Sequence, residues 1–205
     1  MKNFSKVLIL VACLLLLSVQ GFPQRGRLDF FINGALYFPV QENLDDGYGS
    51  GIGTRLSITR NLSVSLEWKY GRYPVNKEEG KLINGTLYIT PVLAALKYNF
   101  LRDSSFSPYA FLGGGLIFSS FTMKAGDDIS DANITEQKIK NGFGLYGGLG
   151  ATLRISNQLS LFAEGLYLHR KTDAETKYIL GLPSDEFRLN LSSYCILIGI
   201  KYTSY

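Results

Sequence analysis

The chain has 205 residues, enough for one ordinary domain. Aromatic residues make up 13 % and charged residues 19 %, the latter below the roughly 25 % usual for soluble domains. With 22 glycines against one histidine and two cysteines, the composition is β-rich and poor in the residues most used for metal binding or acid–base chemistry.

The first element is a leader. MKNFSKVLILVACLLLLSVQG, residues 1–21, sets two lysines before an apolar run from Val7 to Leu17 and closes on small or polar residues. This is the pattern of a secretory signal peptide cleaved after Gly21, and the run is too short for a comfortable membrane span. LVAC at Leu10–Cys13 has the look of a lipoprotein processing box, but cutting there would leave LLLL as a greasy new terminus, which argues against lipidation. Export removes Lys2 and Lys6, leaving 19 cations against 17 acids, so nothing favours a nucleic-acid partner. Cys195 is then the single cysteine and no internal disulfide can form. Residues 22–205 read as one domain.

Period-two alternation fills that domain, with turn residues between the runs. Eight strands are expected near 28–40, 48–59, 62–72, 85–99, 107–119, 142–155, 159–169 and 188–202. In the second, GYGSGIGTR places Gly47, Gly49, Gly51 and Gly53 at every other position. A phosphate loop spaces its glycines G-x-G-x-x-G and opens a helix; a strict spacing of two instead puts all four on one face of an extended chain. The third, LSVSLEWKY, alternates Leu62, Val64, Leu66, Trp68 and Tyr70 with Ser63, Ser65, Glu67 and Lys69. Pro91 in the fourth implies a bulge or a later strand start, and Pro108 fits the start of the fifth. Connections at Thr59–Asn61 and Ser156–Gln158 are tight, whereas Ser120–Asn141 and Lys171–Phe187 are long. Short turns at one end and long loops at the other are the habit of an outer-membrane barrel.

Two hairpins repeat one another at an offset of 97 residues: Gly53 matches Gly150, Ile58 matches Ile155, Glu67 matches Glu164 and Tyr70 matches Tyr167. For Ile58 and Leu62 to share a face, the turn between them must hold an odd number of residues, here Thr59-Arg60-Asn61. That register sets Gly53 opposite Glu67 and Gly150 opposite Glu164, with the glycines expected to leave room for the carboxylates.

A period-two barrel can be soluble, as a lipocalin-like ligand binder, or inverted in a membrane. The polar face here is mostly Gly, Ser and Thr with sparse charge, which suits a cramped eight-stranded lumen better than a water-facing sheet. Aromatics gather on the apolar face at Trp68, Tyr70, Tyr98, Tyr167, Tyr194 and Tyr202, as expected for lipid-interface girdles. Sheet edges in hydrocarbon must be closed, and eight strands allow closure. The fold class expected is therefore all-β, a closed antiparallel eight-stranded up-and-down transmembrane barrel. Its inward face is expected to carry Arg55, Glu67, Lys69, Lys97, Arg154, Glu164 and Lys201, with Asp29 beside them, as a network of internal salt bridges that plugs the tube. Because cations outnumber acids there, a narrow anion-preferring channel for small solutes is the alternative.

On these features the chain resembles the small eight-stranded outer-membrane barrels of the OmpA-transmembrane, OmpX and OmpW types over residues 28–202. The residues that carry the likeness are the leader, RNLSVSLEWKY, LKYNF at 96–100, SPYAFLGGG at 107–115 and the closing LIGIKY. The resemblance implies the bacterial outer membrane as location and an envelope or surface-adhesion role without catalysis. It implies as partners membrane lipid and lipopolysaccharide, the barrel-insertion machinery and an extracellular or host ligand held by the loops. Family members end in an aromatic read during insertion; here Tyr202 keeps the apolar phase, with Thr203, Ser204 and Tyr205 beyond it.

Other chemistry finds little support. Barrels that deacylate lipid A pair a histidine with a nearby serine; the single His169 is followed by Lys171 and Thr172, and Glu164 lies on the opposite face, so no catalytic residue is assigned. AGDDISDANITE, residues 125–136, lacks the glycine and terminal glutamate of an EF-hand, so neither metal nor cofactor is expected. Asn-x-Ser/Thr triplets at Asn84 and Asn133 follow from composition, and Cys195 is read as an inward packing residue.

Overall fold

Strict alternation over long runs is what lets one sheet curl until its first and last strands meet, because every residue is committed to either the inside or the outside. The computed structural model describes residues 27–76, 84–101, 104–123, 134–178 and 185–204. The leader and most of the 125–136 segment lie outside these. Along the chain run β1 (Leu28–Pro39), β2 (Gly47–Ser57), β3 (Leu62–Val75), β4 (Gly85–Asn99), β5 (Phe106–Met123), β6 (Ile134–Ile139), β7 (Gly142–Arg154), β8 (Leu159–His169), β9 (Lys171–Tyr178), β10 (Asp185–Asn190) and β11 (Ser193–Ser204).

Eight of them form a closed antiparallel barrel in the order β1-β11-β8-β7-β5-β4-β3-β2. Closure is made by β1, whose Ile32 sits opposite Ile52 on β2 and Ile200 on β11. The turn register expected from parity is the one found: Gly53 faces Glu67, Gly150 faces Glu164, and the amides of Ile58 and Ile155 return to the carbonyls of Leu62 and Leu159. These tight turns and both described ends of the chain lie at one end of the tube, called lower here. The long connections lie at the upper end.

The outward face is apolar. Ile52, Trp68, Leu112, Leu149, Ile196 and Ile198 are all half exposed or more, while Glu67, Lys97 and Ser65 on the alternate phase are almost completely enclosed. This is the reverse of a soluble barrel, and it rules out the lipocalin-like arrangement. Aromatic pairs mark two levels of the wall: Tyr70–Tyr88 and Tyr167–Tyr194 above, Tyr98–Phe100 below, at centroid distances of 6.1, 5.0 and 5.6 Å. Tyr202 joins the lower level opposite Phe30. Trp68 lies one outward position inside the upper level, between Ile52 and Val92.

Three features depart from the strand assignments made on sequence. Pro91 produces no bulge: β3 and β4 keep one register from Leu62↔Tyr98 to Val75↔Gly85, and pairing merely lapses between Trp68↔Val92 and Gly71↔Ile89. Proline has no N–H to give the ladder, so the lapse falls where the donor is missing. The last expected strand, 188–202, is two: β10 ends at Asn190 and β11 begins at Ser193, because Leu191 and Ser192 turn inward to the plug. Finally, the two long connections carry β6, β9 and β10, a three-stranded sheet in the order β10-β9-β6 that continues the barrel wall upward. Its buried residues Ile139, Ala174 and Leu189 belong to the same apolar cluster as Leu44, Tyr73, Val75 and Leu87 of the barrel mouth, so the sheet acts as a cap.

Candidate functional site

The lumen is filled in three tiers, each built from the inward phase of the strands. In the middle tier Lys97 on β4 reaches Glu67 Oε1 at 3.1 Å and Glu164 Oε1 at 2.8 Å, bridging the two glutamates of the repeated hairpins. Lys69 pairs with Glu67 Oε2 at 2.9 Å, and Arg55 stands 4.0 Å from Glu164. The hydroxyls of Ser65 and Tyr109 donate to Glu67 and Glu164, each at 2.8 Å. Rings close the remaining sides: Lys97 Nζ lies 5.0 Å from the Phe111 centroid, and the Arg55 guanidinium lies 5.2 Å from that of Tyr109. Charges this deep are tolerated only when paired and hydrogen-bonded, and here both glutamates have several donors each.

The upper tier is apolar. Tyr37, Tyr73, Leu93, Tyr146, Leu166, Leu168 and Leu197 are all less than a tenth exposed and meet across the axis. Above them Arg170, 1 % exposed, ties the cap to the barrel: Nη1 donates to Ser119 Oγ of β5 and Nη2 to the Lys140 carbonyl between β6 and β7, both at 2.8 Å. The Lys140 carbonyl also accepts the Thr172 hydroxyl at 2.8 Å, and the Arg170 carbonyl accepts the Leu191 amide at 2.9 Å. The lower tier is polar, with Asp29 taking Arg27 at 3.5 Å, Lys201 at 3.4 Å and the Thr203 hydroxyl at 2.7 Å.

Of the inward charges expected, Arg55, Glu67, Lys69, Lys97 and Glu164 are brought together in one cluster, and Lys201 joins Asp29 below it. Arg154 is the correction. It keeps the inward phase but is the last residue of β7, so it stands exposed at the lower mouth. The glycines need correction too. Their room goes to aromatic rings more than to carboxylates: a Cβ on Gly53 would come 2.5 Å from the Phe31 ring, and one on Gly150 would come 2.7 Å from that of Tyr109. The ring-filled tiers were missed on sequence, where apolar was equated with outward. The signal was present in β1, where Phe31 and Tyr37 share the phase of Asp29 and Asn33.

His169 has a partner that sequence spacing could not supply. Ser192, 23 residues on, places its Oγ 3.2 Å from His169 Nδ1. That hydroxyl is wholly enclosed and also accepts the Arg170 amide at 3.1 Å, so it holds the bend from β8 into β9 and has no open side for attack on a substrate. Cys195 is buried beside Ser193. Among the described residues no cluster of three or more His, Cys, Asp or Glu is arranged to hold a metal ion.

Comparison with known proteins gives a consistent answer. The family model described as "Outer membrane protein beta-barrel domain" matches residues 9–192. No curated protein sequence matches. Among solved structures, OprG of Pseudomonas aeruginosa is 17 % identical, with a TM-score of 0.72 over 88 % of this chain and 97 % of that one. Outer membrane protein W of E. coli is 18 % identical, with a TM-score of 0.58 over 88 % and 99 %. Ail, the attachment invasion locus protein of Yersinia pestis, solved with the heparin analogue sucrose octasulfate, is 17 % identical, with a TM-score of 0.52 over 88 % and 100 %. At such identities the likeness is one of fold.

Proposed function

Because the chain belongs to the outer membrane protein β-barrel domain family, we propose that it is an exported, sealed outer-membrane barrel. Its working surface is the upper cap and the loops beside it, in a structural or surface-interaction role without catalysis. One observation carries this reading: the axis is blocked twice, by the Lys97-centred ion cluster and by the apolar tier beneath the cap. A tube so filled leaves its exterior to act, and loops on a rigid scaffold are where binding residues accumulate. Ail, a protein of the same fold, carries attachment in its name. Membrane lipid, lipopolysaccharide and the insertion machinery are the partners that any such barrel meets in place.

Planar-bilayer recording tests the seal. Purified protein should insert without stable unitary conductance steps; reproducible steps of one size would overturn the reading. The lapse in the β3–β4 ladder at Pro91 favours a second reading. It adjoins an outward apolar groove lined by Ile32, Ile52, Trp68, Thr90, Val92 and Phe118, of about 1180 Å³. Small apolar solutes would then cross sideways, between lumen and bilayer, without an axial pore. Uptake of such a solute that is abolished by Pro91→Ala, which restores the missing N–H, would select this reading over the first.

A further inference from the structure

Below the ion cluster the lumen ends in a polar cup at the lower mouth, the end expected to face the periplasm. Arg27, Arg55, Arg154 and Lys201 line it together with Asp29, Thr152 and six serines. Its free volume is about 40 Å³, room for about three waters, which is also the bulk of one phosphate-sized oxyanion. Among the described residues four cations and one carboxylate line the cup, and Asp29 is already engaged by Arg27, Lys201 and Thr203. Arg55 is 4 % exposed, and its one carboxylate contact among the described residues is Glu164 at 4.0 Å. The oxygen it approaches already receives Lys97 and the Tyr109 hydroxyl at 2.8 Å each.

Arg55 Nε and the hydroxyl of Thr152 are among the buried groups on this cup that make no hydrogen bond, the latter on a residue 7 % exposed. Buried donors are ordinarily satisfied, and leaving a charged one unmet is costly. Guanidinium, ammonium and hydroxyl groups lining one small space match the several acceptor oxygens of a tetrahedral oxyanion, and the planar fork of arginine suits that geometry.

We propose that the lower cup is a binding site for a phosphate-type oxyanion entering from the periplasmic side, held by Arg55, Lys201 and Arg154 with Thr152 and the serines completing its shell. The site is blind, because the Lys97 cluster forms its floor, so it retains an anion without passing it. Only that floor rests on the sealed-lumen reading; binding is measured in solution and its outcome is separate from any conductance result.

The experiment titrates inorganic phosphate into the refolded mature chain in maltoside micelles, at constant ionic strength with chloride as comparator, by calorimetry. Saturable phosphate binding is expected, with none for chloride. Arg154→Gln and Lys201→Met should each weaken it about tenfold or more, as for loss of a charge-assisted hydrogen bond, while the unheated folded band keeps its mobility. Should Lys201→Met fail to fold, Arg154→Gln at the exposed rim decides alone. Phosphate binding no stronger than that of chloride, or equal in wild type and Arg154→Gln, would overturn the proposal. Repeating the titration in phosphatidylglycerol nanodiscs separates the sources. Undiminished binding identifies an aqueous anion, and binding lost to the lipid identifies a phospholipid headgroup.

Discussion

Lys97 stands between two glutamates that would repel each other without it. Its ammonium is within 3.1 Å of both carboxylates and is enclosed by three aromatic rings. Lys97→Met keeps the length of the side chain but leaves two neighbouring buried glutamates with only Lys69 and the more distant Arg55 to balance them, and the expected loss of stability is about 3–5 kcal/mol. Urea unfolding followed by tryptophan emission measures it. Lys138→Met, an exposed change on the cap, should stay within about 0.5 kcal/mol. Comparable small effects at both sites would mean the central cluster is wet. At this scale the sequence revealed which charges point inward, since parity alone places Glu67, Lys69 and Lys97. It concealed which residues fill the space between them. Phe31, Tyr109 and Tyr146 are lumenal because glycines opposite or beside them leave gaps of ring size, and a gap is a property of paired strands that no single strand displays.

Among the elements, the tight turns were the most legible, because one parity constraint fixes both register and turn length. The cap was illegible for the opposite reason. β6 and β9 are partners far apart in sequence, paired across the β7–β8 hairpin, and their charged, alternating sequences read equally well as solvated loops. Arg170 is the joint between cap and barrel. Its two 2.8 Å donations span β5 and the β6–β7 junction, and no carboxylate pairs with it among the described residues. Arg170→Ala removes both bonds and leaves a cavity, at a cost of about 3–5 kcal/mol that falls mainly on the cap, the element with fewest contacts to the membrane-anchored wall. Limited proteolysis should then cut within 171–190 at least tenfold faster, while the barrel still shifts in gel mobility on boiling. Cleavage at the wild-type rate would show that the cap holds by its own strand pairing.

At the scale of the molecule, a single decision organises the rest: apolar side chains face out and ions face in. It was legible in the sequence because the polar phase carries Gly, Ser and Thr in place of the lysines and glutamates of a water-facing sheet. From it follow the closed edges, the aromatic levels, the need to pair every lumenal charge and the transfer of function to the cap, the loops and the lower cup. What the whole-chain pattern left hidden was the doubling of the block. An upper apolar tier, continuous with the cap, stands above the ions that had been expected to plug the tube alone.

The chain holds one tryptophan, so that decision can be read without engineering a probe. Trp68 is 52 % exposed on the outer wall, between Ile52 and Val92. In liposomes its emission should be blue-shifted, quenched strongly by lipids brominated along the acyl chain and indifferent to aqueous iodide. Strong quenching by iodide with none by the brominated chains would put that face in water and contradict the membrane orientation of the entire barrel.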